Sequence, residues 1–196
     1  LEIGMQPHLG DRYKEIINNY PLDYIIMTIH SINGKDIFID HFLDKLDPDE
    51  ALYLYYLQIY NCVKDYDDYD ALGIFDAIDR YLGKEYKAPN YEDYYPLISD
   101  ILSILISKGK SLEVNSSGLR FGLDYFHPKL PILKLYKDLG GENITIGSSS
   151  NTGENIGYQY KILEKKLKLL GFKYIHIYRK RKKIPIQISE LKSLLA

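Results

Sequence analysis

From one end of this chain to the other, short apolar stretches alternate with helical ones, and polar residues gather where each apolar stretch ends. That alternation restricts the possible folds more than any other feature. Parallel strands can be joined only by crossovers, so strand–helix repeats call for a parallel sheet or a barrel. Six parallel strands are expected: Leu1–Met5, Tyr24–Ile29, Ala71–Phe75, Ser111–Val114, Asn143–Ile146 and Lys173–Ile177. The second is apolar nearly throughout, as a parallel strand covered on both faces should be.

Helices are expected between the strands. One covers Asp11–Asn19, capped by Asp11 and stopped by Pro21, and another runs from the Asp47-Pro48 start through Val63. A third lies within Tyr91–Ser107, where Leu97, Ile98, Ile101, Leu102 and Leu105 recur on one face. Two more lie around Ile132–Lys137 and from Tyr158 to Leu170, the latter closed by Gly171. A long loop is expected after His30. No linker or internal repeat interrupts the pattern, so a single domain over residues 1–196 is expected.

With 196 residues, of which 45% are hydrophobic, the chain can bury a sizeable core. Its formal charge of −2 argues against a general nucleic-acid binder. The basic run Arg179–Lys183 reads as a solvated turn after the last strand, and the acidic run Asp65–Asp70 as a hydrated loop without EF-hand spacing. Cys62 cannot pair within the chain and is expected in the core, which fits a reducing, cytoplasmic setting. No apolar run approaches the ~20 residues that span a bilayer.

In α/β barrels, chemistry sits where strands end and loops begin. The polar residues there are Glu2, His30, the Gly73–Asp76 segment with Arg80, the Glu113–Ser117 segment with Arg120, and Gly147–Asn151. Glu2 is either a metal ligand or a solvated carboxylate. His30 is either a ligand or a hydrogen-bonded imidazole. Arg80 and Arg120 suit the forked geometry of phosphate, or pair with surface carboxylates. Ser148, Ser149 and Ser150 lack the Gly-x-Ser-x-Gly elbow of a nucleophile.

Taken in order, Leu1-Glu2-Ile3-Gly4-Met5-Gln6-Pro7-His8-Leu9, Ile29-His30, Leu72-Gly73 through Arg80-Tyr81, and Leu112-Glu113-Val114-Asn115-Ser116-Ser117-Gly118-Leu119-Arg120 resemble one family. It is the histidinol-phosphate phosphatases of the polymerase and histidinol phosphatase (PHP) superfamily. The resemblance covers nearly the whole chain, and the last segment is its most specific part. It implies an α/β fold, a distorted (β/α)7 TIM-like barrel. It also implies divalent metals (zinc, manganese or iron) activating a water against the phosphomonoester of L-histidinol phosphate, in histidine biosynthesis. Glu2 and His30 match metal ligands, and Arg80 and Arg120 match phosphate-binding residues.

The departures from the family are specific. Two leading histidine-bearing strands of the family are missing, so the barrel is expected to be incomplete at its N-terminus, with open edges available for self-association. Ile74 stands where the family has histidine, and Ser149 and Asn151 stand at two further ligand positions. Two expectations follow: a phosphatase with impaired hydrolysis acting on a small phosphorylated substrate, or a non-catalytic binding or assembly protein that has lost its metals.

Overall fold

The computed structural model describes residues 1–39, 46–82 and 91–191. Five strands form one parallel sheet: β1 (Glu2–Gly4), β2 (Ile26–Thr28), β5 (Ala71–Leu72), β6 (Ser111–Asn115) and β7 (Ile144–Gly147), in the order β1-β2-β5-β6-β7. Two short strands, β3 (Ser31–Ile32) and β4 (Lys35–Asp36), make a small hairpin immediately after His30, where a loop was expected. Residues 40–45 of that expected loop lie outside the described residues.

The helices are α1 (Gly10–Asn18), α2 (Pro48–Asp65), α3 (Tyr95–Ser107), the single-turn α4 (Ser117–Arg120), α5 (Leu130–Asp138) and α6 (Tyr160–Leu169). Asp47 caps α2 by accepting from the Asp49 N–H at 2.9 Å, with Pro48 following it at the first helical position. Asp11, by contrast, does not cap α1. The cap position is Leu9, and Asp11 lies inside the first turn, where its charge still faces the positive helix end.

Register sorts the side chains into two faces, because in-phase partners in a parallel sheet point the same way. Ile3, Met27, Leu72, Leu112 and Ile144 are aligned and almost fully buried in the main core. Glu2, Thr28, Glu113, Asn115, Thr145 and Gly147 occupy the alternate positions. The strands therefore have an apolar side in the main core and an opposite side of mostly polar or small residues, with Ile26 of β2 the apolar exception. Cys62 lies in the core as expected.

The expected sixth parallel strand is absent. Its residues form β8 (Tyr174–Arg179), which turns back into β9 (Lys182–Gln187) as an antiparallel hairpin. The reversal comes from Lys180 and Arg181, both left-handed at φ 48° and 64°, as a two-residue hairpin turn requires. The basic run is accordingly more than a solvated turn. The Lys180 N–H donates to Asp23 Oδ1 at 2.8 Å, and Arg181 pairs with Asp68 at 3.1 Å and Asp70 at 2.6 Å. Asp70 is buried and also accepts from the Ile25 N–H at 2.8 Å, so one end of the acidic run is a structural anchor rather than hydrated loop.

The sheet is open rather than a closed barrel. Among the described residues, β1 has β2 on one side and no strand on the other. No helix among them is long and apolar enough to cross a membrane.

Candidate functional site

Parallel pairing puts the carboxyl ends of all five strands at one end of the sheet, and two polar clusters form there. The first joins β1 to β2. His30 Nε2 lies 3.2 Å from Glu2 Oε1, and Thr28 Oγ1 touches both, at 2.8 Å from the imidazole and 3.1 Å from the carboxylate. The hydrogen bond to His30, joined by that from Thr28, outweighs burial and holds the Glu2 carboxyl below its usual range. The other ring nitrogen of His30, Nδ1, is buried with no hydrogen-bond partner among the described residues.

The second cluster joins the end of β5 to the segment after β6. Arg80 Nε donates to His127 Nε2 at 2.9 Å, and its Nη2 donates to Ser117 Oγ at 2.5 Å. His127 Nδ1 bonds Asp76 Oδ1 at 2.5 Å, while Asp76 Oδ2 accepts from the Lys129 N–H at 2.8 Å. Arg120 Nη2 donates to the Ser148 and Ser149 carbonyls, at 3.1 and 2.6 Å. Both guanidinium groups lie over the Phe121 ring, 4.3 Å (Arg80) and 5.0 Å (Arg120) from its centroid. Arg120 Nε is buried and has no acceptor among the described residues.

Glu113, on the polar face of β6, stands between the clusters. Burial pushes its carboxyl up to about 7, against hydrogen bonds from Asn115 and the Ile74 N–H. The Glu2 charge adds to the rise and Arg80 opposes it.

The expected site residues thus fall into two groups, Glu2 with His30 and Arg80 with Arg120. Of the altered positions, Ile74 is buried, and its N–H lies 3.3 Å from Glu113 Oε2. Ser149 Oγ accepts from Asn115 Nδ2 at 2.9 Å, and Asn151 is exposed. Ile74 and Ser149 both have left-handed backbones, at φ 43° and 44°. A β-branched residue is a clear outlier there.

Among the described residues no group of three or more His, Cys, Asp or Glu could hold a metal ion. Glu2 and His30 supply two donors, which suit one divalent ion held loosely but do not fit a multinuclear centre, whose affinity depends on ligand number and charge.

His127, Asp76, Ser117 and Phe121 were not assigned roles by the sequence alone. His127 follows no strand and sits in no periodic pattern. The signal that could have found it was indirect: two arginines near strand ends need partners to fix them, and His127 is one of only five histidines.

The PHP domain family matches residues 1–117. This chain belongs to that family. Among its relatives, a probable histidinol-phosphatase of Clostridium acetobutylicum is 28% identical over 161 residues, covering 82% of this chain and 63% of the relative. A probable histidinol-phosphatase of Thermotoga maritima is 30% identical over 159 residues, covering 81% and 61% respectively. This PHP chain therefore spans somewhat less than two thirds of the length of these curated relatives. A crystal structure of the Lactococcus lactis histidinol phosphate phosphatase, complexed with zinc, L-histidinol and phosphate, superposes with a TM-score of 0.83. It covers 94% of this chain and 70% of that one at 24% identity, which establishes the PHP fold.

Proposed function

We propose that the strand-end cluster of Arg80 and Arg120 binds the phosphate of a small phosphomonoester, with L-histidinol phosphate as the first candidate. The relatives named histidinol-phosphatase supply the candidate substrate. The observation that carries the reading is the pair of guanidinium groups held over one phenyl ring, with the buried Nε of Arg120 lacking an acceptor. A buried donor without a partner is costly, and a phosphate oxygen would satisfy it.

Hydrolysis is the weaker part of this chain's chemistry. Divalent metals, zinc, manganese or iron by the family's pattern, would make a hydroxide from bound water and polarise the phosphoryl group. The residues described here give such ions only Glu2 and His30, while Ile74 offers no donor and Ser149 and Asn151 only neutral oxygens. The chain's own contribution is to bind and orient phosphate, so it stands as an impaired member of a phosphatase lineage. The non-catalytic reading is favoured by one observation, the apolar Ile74 side chain at a ligand position.

Titration of the chain with phosphate by calorimetry tests the binding. Arg80→Ala or Arg120→Ala should each cost about 1.5–3 kcal/mol, the range for hydrogen bonds to a charged group. Affinity unchanged by the double substitution removes both arginines from the site. Phosphate release from L-histidinol phosphate, with zinc or manganese added, should stay far below an enzymatic rate, and brisk metal-dependent turnover would overturn the impairment.

A further inference from the structure

Arg80 is held in place by a pair of groups that no solvent reaches. Asp76 and His127 are both fully buried and hydrogen-bonded to each other. Arg80 Nε always carries a proton, so the His127 Nε2 that it meets at 2.9 Å must be an acceptor. A neutral ring with an accepting Nε2 carries its proton on Nδ1, which is the atom facing Asp76 Oδ1. Asp76 is fixed in turn by the Lys129 N–H on its other oxygen, and the β6 backbone brackets His127 through paired hydrogen bonds with Asn115, at 2.6 and 2.9 Å. Close packing adds to this: a Cβ at Gly118 would lie 2.3 Å from the Tyr125 carbonyl and 3.4 Å from the imidazole.

We infer that Asp76 and His127 are positioning residues for Arg80: the carboxylate selects the imidazole tautomer, and the imidazole's free lone pair aims the guanidinium at the anion. This deepens the proposed phosphate site and rests on it. With Nε bonded to His127, Nη2 to Ser117, and Tyr81 hydrogen-bonded to the same guanidinium, the planar fork cannot rotate, and only its remaining N–H groups serve a ligand oxygen. A preorganised donor loses less freedom on binding than a free side chain does.

Two amide substitutions separate aiming from mere packing. The amide of H127Q falls near the former Nε2 and can accept from Arg80, whereas that of H127N falls near the former Nδ1 and can only serve Asp76. Phosphate titration should show R80A weakened at least about tenfold, H127N weakened by roughly five- to tenfold, and H127Q within about threefold of the natural chain. If R80A binds phosphate normally, the proposed phosphate site itself fails. If R80A is weakened but H127N is not, or if H127N and H127Q are weakened equally, the positioning role fails while the phosphate site stands. A measurement on the unsubstituted, 15N-labelled chain does not depend on any variant folding. It should show His127 protonated on Nδ1 alone and a nitrogen–nitrogen coupling across the hydrogen bond from Arg80. A ring protonated on Nε2 would overturn the inference.

Discussion

A Cβ placed on Gly147 would lie 2.0 Å from Glu113 Oε1 and 2.8 Å from Asn115 Nδ2. The missing side chain on β7 is what admits a buried carboxyl on β6. Gly147→Ala must therefore displace Glu113, Asn115 or the strand, at a cost of about 1–3 kcal/mol for a forced overpacking. Urea denaturation should show that loss, and it should shrink when Glu113 is already replaced by Ala, because the closest clashing atoms are then gone and only Asn115 Nδ2 remains. Equal losses in the two backgrounds would place the strain elsewhere.

Glu113 also makes stability depend on pH. Its carboxyl is raised from the ordinary 4.5 to about 7, so the folded state favours the protonated form. The stabilisation is fully present below the unfolded value and is lost as pH rises through about 7. For a fully buried group that shift corresponds to a loss on the order of 3 kcal/mol. Glu113→Gln keeps an acceptor for the Ile74 N–H without an ionisable proton. The natural chain should lose stability relative to this variant between about pH 5 and pH 8. Parallel urea midpoints across that range would reject the assignment. Glu2 acts with the opposite sign: its depressed carboxyl gives stability that is lost only as pH falls through its folded value, outside this window.

The elements most legible in the sequence were those set by local periodicity. The face of α3 carrying Ile98, Ile101, Leu102 and Leu105 is fully buried, and the Asp47-Pro48 start caps α2. The last strand misled because apolar content marks a strand without marking its partner. The Lys180–Arg181 turn that pairs it with the following segment carries no glycine or asparagine to announce a hairpin. Arg80, Arg120, Glu2 and His30 stood out because charged groups at strand ends are few. Asp76 stood out only as part of the Gly73–Asp76 strand end; its link to Arg80 through His127 did not, since Asp76 and His127 are 51 residues apart and meet only after folding.

The hairpin's anchor can be broken separately. Asp70 accepts from the Ile25 N–H and pairs with Arg181, and Asp68 pairs with the same arginine. Asp70→Ala leaves a buried N–H without an acceptor and should cost about 1–3 kcal/mol. Arg181 retains Asp68, so the hairpin should loosen rather than detach. Hydrogen exchange should accelerate in Tyr174–Gln187 and around Ile25 while α3 stays protected; a uniform rise across the chain would indicate global destabilisation instead.

Phe121 is half exposed, yet both arginines rest on it. An exposed cation–π contact contributes about 0.5–1 kcal/mol. Phe121→Leu keeps apolar bulk without the ring quadrupole, so phosphate affinity should fall by roughly two- to fivefold per guanidinium that depends on the ring. Fold stability should change little at so exposed a position. Unchanged phosphate affinity would show that the hydrogen bonds to His127, Ser117 and the Ser148 and Ser149 carbonyls position the arginines alone.

The positions where the family resemblance implies metal ligands give the last prediction. Ile74 and Ser149 adopt φ 43° and 44°, a region that β-branched residues resist and that His, Asp and Asn tolerate several-fold better. The backbone thus suits the residue types that the family resemblance implies at these positions better than it suits isoleucine. Combining Ile74→His, Ser149→Asp and Asn151→His should leave the chain folded, because relief of backbone strain offsets the loss of one buried aliphatic side chain. It should also add a carboxylate and two imidazoles to Glu2 and His30, and zinc affinity rises with the number and charge of such donors. Calorimetry near neutral pH should then show micromolar or tighter zinc uptake with proton release by the triple variant, and far weaker binding by the natural chain. Equally tight zinc binding by the two proteins would show that the natural chain's own donors suffice to hold the ion, and would remove the altered positions as the ground for impairment.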